Sequence, residues 1–154
     1  MNMLQLQATL LSLILGLAQV NAHFLLNYPV TVGFNDDQEA TAPCGGFSVS
    51  FTNVTNFDVG GDSIALTSTH PASTWLFRAT LDTTAGGNWT VLLPAIAQQT
   101  QGQFCEQGVM VPASFAGQKG VIQVIEDAVD GQLFQVRLPI FNDIMPRNGL
   151  SFWS

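Results

Sequence analysis

Short stretches in which apolar and polar residues alternate recur along most of the chain. A period of two is typical of strands that bury one face. These stretches follow one another at intervals near ten residues, which predicts an antiparallel β-sandwich. They are residues 47–52 (FSVSFT), 63–69 (SIALTST), 74–81 (TWLFRATL), 89–93 (WTVLL), 107–111, 120–125 (GVIQVI) and 132–135. We expect no helix of more than two turns.

The segments at either end of this pattern differ from it. Residues 23–34 (HFLLNYPVTVGF) predict an extended segment, and Pro29 places part of it at a sheet edge. Residues 35–43 are polar and predict a loop, whose acidic cluster (DDQE) is either a weak cation site or a solvated surface. Residues 136–154 contain two prolines and continue no strand, so we expect an irregular C-terminal tail.

The first 22 residues have the features of a secretory signal peptide. Residues 10–18 are apolar, and Val20-Asn21-Ala22 is a small-x-small cleavage site, although no Lys or Arg precedes them. The apolar run is short for a bilayer span, which favours cleavage over an uncleaved signal anchor. Cleavage between Ala22 and His23 leaves enough chain for one domain with its own core.

The net charge of the chain limits the classes of partner that it can bind. The 154-residue chain has 11 Asp and Glu against 4 Lys and Arg, a net charge of −7. So few cations cannot form a phosphate-binding surface, which argues against nucleic acid and against anionic lipid. The four are Arg78, Lys119, Arg137 and Arg147.

Cysteines and sequons fit a secreted protein. Cys44 and Cys105 are the only cysteines in the sequence, and in an oxidising compartment the default for such a pair is one disulfide. Their spacing matches no zinc motif. Asn53 and Asn88 each begin an Asn-x-Thr sequon, which predicts N-glycosylation.

Histidine supplies the main functional signal. A mature chain beginning at His23 would offer its α-amino group and a ring nitrogen to one metal ion. His70, the only other histidine in the sequence, follows a predicted strand and would complete a three-nitrogen histidine brace. Such nitrogen ligands suit Cu(II), and an amine with a pKa of about 7.7–8.0 loses its proton to the metal near neutral pH. The alternative is that His70 is a loop histidine hydrogen-bonded to backbone.

Other chemistries have less support. No G-x-S-x-G elbow accompanies the histidines, and the glycine pairs lack phosphate-loop spacing. Glu126, Asp127 and Asp130 could serve glycoside hydrolysis or bind calcium, but acids at a hairpin end are more often a solvated rim. The dipeptide Asp130-Gly131 itself predicts a hairpin turn. We therefore expect metal binding at His23 and His70 and no catalytic residue.

An ordered set of short motifs carries a family resemblance. It consists of His23-Phe24, Tyr28-Pro29, Pro43-Cys44-Gly45-Gly46, Gly60-Gly61 with Ile64, Leu66 and His70, residues 120–124 and residues 131–135. Residues 23–135 thereby resemble the fungal copper acquisition factors, relatives of lytic polysaccharide monooxygenases in fold. The resemblance implies an immunoglobulin-like β-sandwich and a copper-binding histidine brace of His23 and His70. It also implies a secreted or cell-surface protein, usually held by a GPI anchor.

The resemblance ends after Gln135. The family adds an aspartate ligand within a Gln-Cys-Ala-Asp type motif on the last strand, whereas this chain continues Val136-Arg137-Leu138. We hypothesise that residues 136–154, which carry no anchor signal, are a translated intron; true divergence is the alternative. The chain then divides into signal (1–22), sandwich (23–135) and atypical tail (136–154). The acidic ligand is lost or replaced, and Asp143 is one candidate substitute. The cysteine of the motif is missing as well, so Cys44 and Cys105 either bridge each other or one of them is a free thiol.

The expected function is copper binding in copper uptake, homeostasis or cell-wall biology, without enzymatic activity. Copper is the expected ligand, and a copper transporter or a cell-wall glycan is an expected partner. Three alternatives stay open: an oxidative polysaccharide enzyme using the same brace, a metal-free adhesion module, and a truncated family member without function. Trp75 and Trp89 lie in strand patterns and are expected in the core or on a sheet face rather than on a glycan-binding surface.

Overall fold

The computed structural model describes residues 22–143. Within them, helical structure is limited to two 3-10 helices of three residues, η1 (Asp36–Gln38) and η2 (Ala113–Phe115). The expectation of no longer helix is therefore confirmed for this range. The strands are β1 (Phe24–Tyr28), β2 (Thr55–Asp58), β3 (Asp62–Ser68), β4 (Ser73–Thr80), β5 (Thr90–Val91), β6 (Ile96–Gln98), β7 (Gly102–Val109), β8 (Val121–Ala128), β9 (Gly131–Arg137) and β10 (Pro139–Asn142).

The strands form two main sheets, which confirms the predicted β-sandwich. One sheet has the order β1-β3-β7, and the other has the order β5-β4-β8-β9 with β6 also paired to β4. All of these pairs are antiparallel, and β1 lies at an edge as the proline after it predicts. The pair of β10 with β2 is parallel and lies outside these two sheets.

Alternation along β3 and β4 positions the core. Ile64 and Leu66 of β3 and Trp75 and Phe77 of β4 are buried, with partly exposed neighbours between them. Trp75 is fully buried and packs edge-on against Phe24 at a centroid distance of 5.2 Å. The tryptophan is thus a core residue, as its strand pattern predicts.

Residues 47–52 are not a strand, although their sequence alternates. They pair with no other strand in the described part of the chain. Val49 and Phe51 pack on a small cluster around Leu138, while Ser48 and Ser50, which alternate with them, are exposed. Alternation of apolar and polar residues indicates that one side of a segment is buried. A loop that lies on an apolar cluster shows the same alternation without hydrogen bonds to another strand.

Regular structure continues past Gln135. β9 runs through Arg137, β10 follows directly, and Val136, Leu138 and Phe141 are fully buried. The predicted irregular tail is therefore wrong for residues 136–142, and the sandwich extends beyond the boundary expected at Gln135. Residues 144–154 of that tail, with Arg147, lie outside the described residues, as do residues 1–21 of the predicted signal peptide.

The predicted disulfide is not formed, because the two cysteines lie in different parts of the sandwich. Cys44 is buried beside Val136 and Leu138, where burial raises the pKa of its thiol. Cys105 is exposed on β7, opposite Ala65 of β3. Both are free thiols, so a rule based on compartment and cysteine count gave the wrong pairing.

Phe141→Ala tests whether the segment after Gln135 belongs to the core. Phe141 contacts Phe57 and Phe115 at centroid distances of 6.4 and 5.4 Å. Because truncation leaves a cavity, we expect the free energy of unfolding in a denaturant titration to fall by about 3–5 kcal/mol. Val129→Ala, at a position 92% exposed, is the control and should change it by less than about 0.5 kcal/mol. Equal stability of the two variants would contradict the assignment of β10 to the core.

Candidate metal centre

His70 lies just after β3 and is held by carboxylates. The residue is 1% exposed, and its Nε2 is 2.7 Å from Oδ1 of Asp130. Its Nδ1 is 3.0 Å from Oε2 of Glu126 but out of line for a hydrogen bond, which leaves both atoms unpaired among the described residues. Ser68 supports the pair, because its hydroxyl donates to Glu126 and accepts from the His70 backbone N–H. The ring therefore contacts side chains rather than backbone.

Both acids come from the β8–β9 hairpin. Glu126 is fully buried on β8, and Asp130 precedes Gly131, whose φ of 125° begins β9. Burial alone would raise the pKa of Asp130, but hydrogen bonds from His70 and from the Ala22 backbone lower it. The expected solvated rim describes only Asp127, which is exposed and contacts neither histidine.

His23 is fixed through its backbone. Its N–H donates to the Thr69 hydroxyl at 2.8 Å, and its carbonyl accepts from the Thr69 N–H at 2.9 Å. Its ring lies against the predicted acidic loop, with Nε2 3.4 Å from Asp36, Nδ1 3.9 Å from Glu39 and Phe34 edge-on at 6.0 Å. The backbone of His23 thus lies beside the residue preceding His70, while the two imidazoles contact different carboxylates.

Ala22 connects the predicted cleavage site to His70. It is 8% exposed, and its backbone N–H donates to Oδ2 of Asp130 at 3.4 Å. The other oxygen of the same carboxylate is bonded to His70. Asp130 therefore joins the residue before His23 to the second histidine. Sequence reasoning considered Asp130 for glycoside hydrolysis or calcium and favoured a turn and rim residue, and no local signal reveals this long-range contact.

Glu39 departs from the expected solvated loop. It is 1% exposed, and its Oε1 accepts from Nε2 of Gln135 at 2.6 Å. Gln135 also bonds the carbonyl of Phe24 and the N–H of Leu26, so it fastens the loop to β1 and β9. Burial, partly opposed by the Gln135 hydrogen bond, raises the pKa of Glu39 to about 7.

The residues proposed at the end of the chain do not reach this site. Leu138, at the position of the aspartate expected from the resemblance, is buried in the cluster around Cys44. Asp143 lines a different groove with Val59 and Met110. Neither has a contact with His23 or His70.

The donor chemistry fits copper, although no ready cluster is present. Among residues 22–143, no three His, Cys, Asp or Glu side chains converge as a metal site. A histidine brace needs only two imidazoles and one amine. Around the histidines, buried Oε2 of Glu126 and of Glu39 have no hydrogen bond in the described residues, and they lie 3.0 and 3.9 Å from Nδ1 of His70 and of His23. Imidazole and amine nitrogens with a carboxylate suit Cu(II).

Residues 21–136 match the copper acquisition factor BIM1-like domain. The chain belongs to this family. This copper acquisition factor-like chain is 33% identical over 139 residues to the lytic polysaccharide monooxygenase-like protein X325 of Yarrowia lipolytica, covering 83% of this chain and 52% of that protein. It is also 33% identical over 103 residues to an uncharacterized protein of Aspergillus fumigatus, covering 65% of this chain and 42% of the relative. The chain thus spans about half the length of these relatives or less.

Solved structures share the fold. An AA10 lytic polysaccharide monooxygenase from Streptomyces lividans matches 77% of this chain and 100% of its own, with a TM-score of 0.59 and 13% identity. The catalytic domain of the monooxygenase Lmo2467 from Listeria monocytogenes matches 79% of this chain and 99% of its own, with a TM-score of 0.57 and 16% identity. At these identities the likeness concerns the fold alone.

Among residues 22–143, no helix is long and apolar enough to cross a membrane.

Glu39→Gln should change the pH dependence of stability in the metal-free copper acquisition factor-like protein. A carboxyl whose pKa rises from 4.5 in the unfolded chain to about 7 in the fold binds more protons when folded. Stability therefore falls as pH rises through this interval, by on the order of 2–3 kcal/mol. In Glu39→Gln the free energy of unfolding should lack this decrease with rising pH, as measured by denaturant unfolding between pH 4 and 8.

Asp37→Asn is the matched control for this measurement. Asp37 is exposed on the same loop, so removing its charge should leave the fall with pH unchanged. His23, Asp36 and Glu126 also face Glu39, and they are the same in both variants. Parallel stability curves for Glu39→Gln and the unmodified protein would contradict the raised pKa.

Proposed function

We propose that the chain, cleaved after Ala22, binds Cu(II) through the amine and imidazole of His23 and through Nε2 of His70, with Asp130 as the acidic ligand. One observation carries the proposal. The two oxygens of the Asp130 carboxylate bond the Ala22 N–H and His70 Nε2. The amine that cleavage creates on the next residue therefore arises beside an imidazole and a carboxylate.

Cleavage changes both partners of this contact. The backbone nitrogen of His23 is an amide while Ala22 is attached, and an amide nitrogen has no lone pair free for a metal. Removal of Ala22 converts it to an amine and takes away a hydrogen-bond donor of Asp130. The Thr69 contacts to the His23 backbone hold the new amine near His70. Chelation by His23 also requires its ring to leave Asp36 and Glu39; a side chain that is 25% exposed has room to turn.

Asp130 replaces the acidic ligand that the motif after Gln135 lacks. Hydrogen bonds lower its pKa, so it is ionised at neutral pH and reduces the charge of a bound Cu(II). Glu126 beside Nδ1 of His70 corresponds to the outer carboxylates that orient metal-binding imidazoles. In this proposal two imidazoles, an amine and a carboxylate surround one copper ion, which the protein holds as cargo.

The biological role that follows is copper handling outside the cell. Family membership supports copper as the ion, and the predicted signal peptide supports secretion or surface attachment. Asn53 and Asn88 are both exposed, which suits their predicted glycosylation. A transporter that receives the copper and a GPI anchor remain proposals, since the chain spans only part of its curated relatives.

Copper titration of the protein beginning at His23 tests the ligand set. In competition with a chelator, we expect one tight site in the unmodified protein and at least about tenfold weaker binding in Asp130→Asn. His70→Ala should lose tight binding altogether. Asp127→Asn removes the same charge from an exposed position of the hairpin and should bind normally. Unchanged affinity in Asp130→Asn and in His70→Ala would refute the site.

A chain that keeps Ala22 and is acetylated on its nitrogen tests the role of the amine. Because neither Ala22 nor His23 then has a free amine, the copper affinity should fall towards that of isolated imidazoles. Electron paramagnetic resonance should report fewer nitrogen ligands than in the chain beginning at His23. Equal spectra and affinities would show that the amine takes no part. Hydrogen peroxide release with a reductant separates binding from oxygen chemistry, and we expect no more release than from chelated copper without protein.

A further inference from the structure

Arg137 is a buried cation that forms no ion pair with residues 22–143. It is 9% exposed at the end of β9, the edge strand of its sheet. All 11 acidic residues of the chain lie between positions 22 and 143, yet none of the ion pairs formed there includes Arg137. One guanidinium nitrogen donates to Oδ1 of Asn53 at 3.4 Å, and the buried Nε has no partner among the described residues.

An unpaired buried charge is unfavourable. Transfer of an ion out of water costs several kcal/mol unless a counter-charge and hydrogen bonds replace the lost hydration. Buried unsatisfied donors in native structures accordingly call for a specific partner, often an ion. The guanidinium has five N–H donors in a planar fork that matches carboxylate and phosphate oxygens. Arg137 is therefore suited to an external oxyanion.

A polar cleft opens onto this guanidinium. It has a volume of about 440 Å³ and no acidic residue in its lining. Backbone hydrogen bonds fix its two walls on either side of Arg137, from Val32 to Val136 at 3.0 Å and from Thr55 to Leu138 at 3.2 Å. The lining consists of Val30, Thr31, Val32, Ser48, Ser50, Thr52, Asn53 and Arg137.

The charge and the volume of the cleft limit which class of ligand it can bind. Among the described residues that line the cleft, Arg137 is the only charged one, and it is one of four cations in a chain with net charge −7. Its volume falls in the range of small-molecule sites, about 300–1,000 Å³, and exceeds what a bare ion fills. Serine and threonine hydroxyls are complementary to hydroxyl groups on the ligand.

We propose that this cleft binds a small hydroxyl-bearing oxyanion, such as an acidic sugar, with Arg137 holding the anionic group. The hydroxyls of residues 48–52 meet the sugar hydroxyls, and Asn53 positions the guanidinium. The site shares no residue with the proposed copper site. A carboxylate and a phosphate present the same chemistry to Arg137, and separate probes distinguish them.

The test uses the chain beginning at His23, produced without N-glycans so that Asn53 is unmodified. Glucuronate and glucose 6-phosphate are titrated against it by nuclear magnetic resonance, with glucose as the uncharged probe. We expect saturable binding of at least one anion and at least about tenfold weaker binding of glucose. The anion that binds more tightly identifies the group. Absence of saturable binding by both anions, or equal binding of glucose, overturns the proposal.

Asn53→Asp provides an isosteric test that keeps the shape of the cleft. Its carboxylate would pair with Arg137 from inside the protein, so the ligand-free melting temperature should rise while anion affinity falls at least about tenfold. Asn56→Asp, which adds the same charge at an exposed position outside the cleft, should keep the unmodified affinity. Arg137→Gln should lose as much anion affinity as Asn53→Asp. If Arg137→Gln does not fold, the anion affinity of Asn53→Asp decides the test. Unmodified affinity in Asn53→Asp refutes the site, and copper binding should be the same in all three.

Discussion

The carboxylate of Asp130 is the contact on which the candidate metal centre depends. It bonds the backbone just before His23 with one oxygen and the ring of His70 with the other. The N-terminal segment, the end of β3 and the β8–β9 hairpin meet at this one group. Each is far from the others in sequence, so the sandwich has to be folded before the site exists. The hairpin positions Asp130, because Gly131 allows the backbone conformation that begins β9.

Buried polar groups around the histidines limit how this end of the sandwich can pack. Gln135 bonds β1 and Glu39 at once, and Ser68 joins Glu126 to the backbone of His70. Such groups are costly when unpaired, so an alternative packing that separated them would be unfavourable. Their cost favours one position of β1 against β9. The pairing of β1 with β3 keeps the backbone of His23 beside Thr69, independently of any metal.

Local pattern predicted the fold well where strands have one buried face. β3 and β4 were predicted because their alternation matches their burial, and β9 because a turn signal precedes it. β8 was also predicted, although both of its faces are buried. β10 was missed, since four residues with a parallel partner carry no period that distinguishes them from a loop. The disulfide was wrong for a related reason: the number of cysteines contains no information about which sheet each one reaches.

Only part of the candidate site could be predicted from the sequence, because only some of its residues are rare enough to be noticed there. His23 and His70 are rare residues with distinctive chemistry, and a cleavage site beside one of them is visible in sequence. Glu126 and Asp130 are common acids in a turn region, and only the fold reveals that one is fully buried and that the other contacts His70. Burial turns an acid from a solvated charge into a directed partner. The same distinction applies to Arg137, which sequence counted as one of four scattered cations and which the fold buries without an ion pair among residues 22–143.

Proteolytic processing then has a chemical meaning at the proposed copper site. Before cleavage, the buried Ala22 supplies a neutral N–H to Asp130, and the nitrogen of His23 cannot bind a metal. After cleavage, the same carboxylate lies near an amine whose pKa of about 7.7–8.0 lets it either carry a charge or bind copper. A metal that competes with a proton for this amine binds more tightly as pH rises. Removal of the signal peptide would thus both release the chain and complete its copper ligands.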